Sequence, residues 1–114
     1  MDKIKKYSTI AIDLLQELHH IVNDDDENTH EEIVLDKENH NYYLMYIGFK
    51  DKYKFVNEPI IHFKIKENGK IWILANDTDI DITEDLMKKG VERQDIVLGF
   101  HPKHLREHTG FAVV

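Results

Sequence analysis

The sequence predicts an α+β domain: an N-terminal amphipathic helix packed on a mostly antiparallel β-sheet, a short second helix, and a C-terminal strand-loop-strand. Three observations predict it. Ile4, Tyr7, Ala11, Leu14, Leu18 and Ile21 recur at spacings of three and four, which is the stripe of a helix with one buried face. Strand-like runs rich in aromatic and β-branched residues follow, joined by tight turns, and strands so joined pair antiparallel. The last twenty residues hold a polar excursion between two apolar runs, 96–99 and 111–114.

The helix is predicted over residues 2–22, with Lys3, Lys5, Asp13, Gln16, Glu17, His19 and His20 off the stripe. It stops at Asn23, where an acidic run, 24–27, has neither periodicity nor apolar content and reads as a solvated loop. Residues 33–36 form a short strand. Residues 42–49 form a longer one, with Tyr43, Met45, Ile47 and Phe49 on one side and Tyr42, Leu44 and Tyr46 on the other. Both sides are apolar, so this strand is expected to be central and covered on both faces. Residues 53–56 and 60–66 read as one strand interrupted at Pro59, which lacks a ladder N–H and belongs at an edge or bulge.

Asn68-Gly69 is the clearest local signal, since both residues tolerate the positive φ of a two-residue type I′ turn. That turn pairs Glu67 with Lys70, Ile65 with Trp72 and Phe63 with Leu74. Ile71, Ile73 and Ala75 then share the opposite face with His62, Lys64 and Lys66. Asp81 with Glu84 marks a capped helix start, Leu86 and Met87 its buried side, and Gly90 its stop. The first helix covers one sheet face. The short second helix covers part of the other, leaving apolar surface there for a partner.

At 114 residues the chain is one domain, 1–114, able to bury a core without staples. It has no cysteine, which removes disulfides, thiol catalysis and Cys-based zinc sites. No run spans a bilayer and no signal-peptide core is present, so the expected address is cytoplasmic, away from membrane. A net charge of −7 opposes autonomous nucleic-acid binding, which needs clustered Lys and Arg.

Candidate chemistry is sparse. His101, His104 and His108 would share one face if helical, as a three-histidine zinc site requires. Pro102 interrupts the helix start, so loop histidines are the preferred reading and no metal or cofactor is expected. Asp77, Asp79 and Asp81 imitate a calcium loop, but Ile82 and Lys88 hold the positions that need Gly and Glu. No Asp/Glu-x-Lys nuclease tripeptide occurs, Ser8 is the lone serine, and no phosphate loop is present, so no catalytic residue is assigned. Lys64, Lys66, Lys70, Lys103 and Arg106 make a basic strip that reads first as a solvated face.

The end of the chain resembles a known signature. Asp95, Ile96, Val97, Leu98, Gly99, Phe100 and His101, then Leu105 and Arg106, then Thr109, Phe111, Ala112 and Val113, are similar to the C-terminal block of the XisI family, controlling factors for excision of the fdxN element. His62, Ile65 and Lys66 with Lys70, Ile71, Trp72 and Ile73 match a second block, and Met1, Asp2, Lys3 and Tyr7 match the opening. The chain departs from the pattern at Asn76-Asp77-Thr78-Asp79, where the family has Asp-Gly-Thr-Glu, so any positive φ at the Gly position falls to Asp77. The resemblance implies a non-enzymatic accessory factor that controls site-specific excision of a DNA element beside a XisH-type companion and a recombinase. The expected contact surface is His101, Leu105 and Arg106 with His62, Ile71 and Ile73 on the less covered sheet face. A direct nucleic-acid module built on the basic strip is the alternative, and self-association is left open.

Overall fold

A computed structural model describes residues 2–22, 29–49 and 51–114. Helix α1 (Asp2–Val22) forms where the stripe predicts and buries Tyr7, Ala11, Leu14, Leu15 and Leu18 against the sheet. Five strands follow in spatial order β1-β2-β3-β4-β5: β1 (Thr29–Asp36), β2 (Asn41–Phe49), β3 (Phe55–Ile65), β4 (Ile71–Asn76) and β5 (Ile96–Leu98). The first three pairings are antiparallel and β4–β5 is parallel. Helix α2 (Ile82–Lys88) supplies the crossover that a parallel pair needs.

Three expectations about faces change. Strand β2 lies inside the sheet, yet it is fully covered on one side only. Tyr42 and Leu44 are buried beneath α1, whereas Tyr43, Met45 and Ile47 are half-buried and Phe49 is exposed. Helix α2 does not cross to that second face. It packs beside α1, Ile82 and Leu86 join the same core, and Lys89 pairs with Asp13 and Glu17 of α1. Strand β1 begins earlier than its apolar residues indicate, because the backbone pairs with β2 from Thr29 onward whatever the side chains.

The third change is a register slip with a local cause. The Asn68-Gly69 turn has three loop residues, not two: Lys66 N–H donates to the Lys70 carbonyl at 3.0 Å and Gly69 N–H to the Lys66 carbonyl at 2.8 Å. Gly69 has φ +82°, which makes this a type I turn closed by a left-handed glycine. One extra loop residue shifts the pairing by one and turns every β4 side chain over. Ile65 therefore faces Ile71, Phe63 faces Ile73, and Lys64 faces Trp72.

Other local readings hold. Pro59 sits beside a β-bulge, where Leu44 pairs with Ile61 and Met45 with Pro59. The Asp81 carboxylate accepts the Glu84 N–H at the α2 start. Gly90 N–H donates to the Met87 carbonyl and Val91 N–H to the Leu86 carbonyl, a Schellman stop. In the substituted 76–79 turn Asp77 avoids positive φ, because the Asn76 carboxamide binds Thr78 N–H and the Ile80 carbonyl instead. One does not: the final apolar run, 111–114, expected as a strand, forms none and adds only a single parallel bridge, Ala112 to Val97.

Candidate functional site: the uncovered sheet face and the C-terminal turn

The register slip decides which residues reach the open face. Ile71 and Ile73 are 0% and 1% exposed in the core beneath α1. Their expected place on the less covered face is therefore corrected, and Trp72 takes it, beside Lys64 and in line with His62.

Trp72 joins the two halves of the candidate surface. Lys66 Nζ lies 3.6 Å and Arg106 Cζ 5.0 Å from its ring centroid, both within cation–π range. Arg106 belongs to α3 (Lys103–Arg106), the single helical turn inside the polar excursion. Its Nη1 donates to the His101 carbonyl at 2.9 Å, so the guanidinium braces the turn from inside. Gly99 permits the close approach. A Cβ there would stand 2.7 Å from Leu74 Cδ2 and 2.8 Å from Trp72 Cε3.

The brace sets Phe100 and Leu105 outward, each about half exposed. The Phe100 and His101 rings lie 4.5 Å apart. His101, Leu105 and Arg106 thus share one small turn. His62 lies farther across the sheet, stacked on Tyr43 at 4.1 Å with Nε2 3.0 Å from Asn41 Oδ1. Burial, then the Lys64 charge, lowers its pKa below the ordinary histidine value.

The three C-terminal histidines are not held as a ligand set. Helix α3 has four residues, too few to align positions 101, 104 and 108, and among the described residues no three His, Cys, Asp or Glu side chains converge on a metal position. Four of the basic strip's five cations are engaged within the chain, and Lys103 is exposed. Lys64 Nζ donates to the Asn39 carbonyl, Lys70 Nζ to the Val114 carbonyl, and Lys66 and Arg106 lie over Trp72.

One cluster escaped sequence reasoning. Asp95, which opens the C-terminal block, is buried. Its carboxylate accepts the Tyr7 hydroxyl at 2.5 Å and pairs with Lys3 Nζ at 2.7 Å. The opening and closing motifs thus meet in space. The available signal was Lys3 and Tyr7 one helical turn apart, with a carboxylate heading a buried strand.

Among the described residues no helix is long and apolar enough to cross a membrane. No curated protein matches the sequence. Two solved structures share the whole fold. A XisI-like protein from Anabaena variabilis ATCC 29413 is 32% identical, with TM-score 0.89, over 97% of this chain and 99% of that one. The fdxN element excision controlling factor XisI from the same organism is 27% identical, with TM-score 0.85, over 98% and 99%. The family described as XisI protein matches residues 1–113, which takes in the helix opening, the tryptophan hairpin and the braced turn alike: the chain belongs to the XisI family.

Proposed function

We propose that this chain is a non-catalytic accessory factor controlling site-specific excision of a DNA element. It acts by docking a protein companion of the XisH type, within a complex that includes the recombinase, on the uncovered sheet face and C-terminal turn. The observation that carries the reading is the Trp72–Arg106 stack. It fixes exposed Phe100 and Leu105 at the border of a sheet face that neither α1 nor α2 covers. Rigid apolar side chains held outward in this way are what a protein interface uses as anchors. The excision-control role is supported by the name of the 27%-identical relative. Arg106 serves as a brace more than as a carboxylate clamp, because its ring face and one Nη are already occupied.

The nucleic-acid reading is the weaker one, since four of the strip's five cations are committed to contacts inside an acidic chain. The deciding experiment is a pull-down of a XisH-type companion with Leu105→Glu and Phe100→Glu, both confirmed as folded by circular dichroism. Binding is expected to fall at least about tenfold. Full retention by both variants would reject this surface. Salt-sensitive retardation of DNA by the chain alone would favour the alternative.

A further inference from the structure

The β2–β3 hairpin closes with the pair Phe49–Phe55, one residue beyond the last β1 pairing at Gly48, and its tip carries exposed aromatics. Tyr53 is 85%, Phe55 57% and Phe49 44% exposed, and the two phenylalanine rings pack edge to face at 5.3 Å. The turn is built firmly: the Asp51 carboxylate accepts the N–H groups of Tyr53 and Lys54 at 2.8 and 2.9 Å. Its negative charge is spent on the turn, and Lys52 and Lys54 give the tip a basic character on an acidic chain. Apolar rings held this far into water need a cover, and basic flanks call for an acidic one.

The same chain carries a surface of that description. On the helix side of the sheet, beyond the part that α1 covers, lies a groove of about 430 Å³. Its apolar lining is Tyr46, Ile60 and Ile80, and its rim carries Glu58, Asp77 and Asp79. The Asn76 carboxamide fixes the loop that presents Asp77 and Asp79. Tip and groove cannot meet within one chain, because Tyr46 and Glu58 lie on the very strands that lead into the tip.

We propose that the groove receives the hairpin tip of a second copy of this chain, with Tyr53 as the anchor and Lys52 and Lys54 paired to the Asp77–Asp79 rim. Charge complementarity names the occupant, since the tip is basic and aromatic and the groove acidic and apolar. Each tip offers on the order of 350 Å² of exposed aromatic surface. Two tips seated in two grooves withdraw on the order of 700 Å² of aromatic surface from water before the groove's own surface is added, the scale of a small, weak interface. This contact is separate from the Trp72 face, so its failure leaves the companion-docking reading intact.

Sedimentation of the full chain from micromolar to millimolar concentration tests it. Self-association is expected, weakened about tenfold or more by Tyr53→Ala. Lys52→Glu with Lys54→Glu, and separately Asp77→Lys with Asp79→Lys, should each be monomeric alone and associate when mixed, because the swapped charges then complement one another. All these positions are on the surface, and circular dichroism confirms folding. A wild-type chain that stays monomeric throughout, or swapped variants that do not associate on mixing, would overturn the proposal. So would self-association unchanged by Tyr53→Ala. A monomeric chain that binds single-stranded oligonucleotide through Tyr53 would assign the tip to another occupant.

Discussion

The Tyr7 hydroxyl donates a 2.5 Å hydrogen bond to Asp95 Oδ2, which ties the second turn of α1 to the residue preceding β5. Lys3, one helical turn earlier, pairs with the other carboxylate oxygen. The two residues are 88 apart in sequence, and their contact closes the domain. Asp95→Ala leaves the Tyr7 hydroxyl buried without this acceptor. The expected cost is about 2–3 kcal/mol, read as a shift in urea midpoint. Asp95→Asn keeps an acceptor for Tyr7 and loses the charge partner of half-exposed Lys3, so its cost should be smaller.

The same contact carries an acid dependence. Burial pushes the Asp95 carboxyl upward, but the bonds from Lys3 and Tyr7 outweigh it and hold the pKa below the usual aspartate value. A carboxyl whose folded pKa is depressed stabilises fully above its unfolded pKa and loses that contribution as pH falls through the folded value. The stability gap between wild type and Asp95→Asn is therefore expected to be constant above about pH 4 and to narrow below it. Urea melts at pH 7, 4 and 2.5 measure this, and a gap of equal size at all three would refute the assignment.

Tyr7 gives the opposite arm. Burial first, and the Asp95 carboxylate second, push its pKa up to about 12. A group whose pKa is raised on folding stabilises fully below its unfolded pKa and loses this as pH rises through the folded one. Wild type should thus lose stability between about pH 10 and about 12 more steeply than Tyr7→Phe does. Ultraviolet titration should find a tyrosine ionising near pH 12 that is absent from the variant.

How much was readable beforehand follows from the range of each interaction. The α1 stripe, the Asp81 cap and the Gly90 stop are set by residues within one or two turns, and all three stand in the structure. Asn68-Gly69 announced a hairpin, but two-residue and three-residue loops use the same dipeptide. The choice sets the register, and with it whether Ile71 or Trp72 meets the open face. The side on which α2 packs was not readable either, because it rests on Ile82 and Leu86 meeting core residues remote in sequence, with Lys89 reaching Asp13 and Glu17 more than seventy residues away. The candidate turn was legible as a block of residues. Its brace was not, since Arg106 reaches Trp72 only after the slip has turned that ring outward.

Gly69 is where that register is fixed, so it is sensitive on two counts. Its φ of +82° disfavours any side chain, and a Cβ there would stand 3.0 Å from Lys3 Cδ. Gly69→Ala is expected to cost about 1–2 kcal/mol. Lys3 also serves Asp95, so the variant should disturb that pair too. A Gly69→Ala, Lys3→Ala double-mutant cycle checks this. Strict additivity would mean that the hairpin turn and the Asp95 cluster are independent.

Trp72 is the lone tryptophan, which makes the brace directly visible. Its ring lies under two cations, and its Nε1 is buried without a hydrogen-bond partner. Arg106→Ala removes one cation and the link to the His101 carbonyl, opening the ring to water. The expected result is red-shifted emission and faster acrylamide quenching, at a stability cost of only about 1–2 kcal/mol. Lys66→Ala removes the other cation and leaves the turn in place, so it should change the emission without freeing residues 100–106. Hydrogen exchange separates the two: faster exchange at Leu105 and Arg106 N–H, which now bond to the Pro102 carbonyl, is expected for Arg106→Ala alone. Equal exchange in both variants would mean that the turn stands without its arginine, and Phe100 and Leu105 would then owe their outward placement to Pro102 and the α3 backbone.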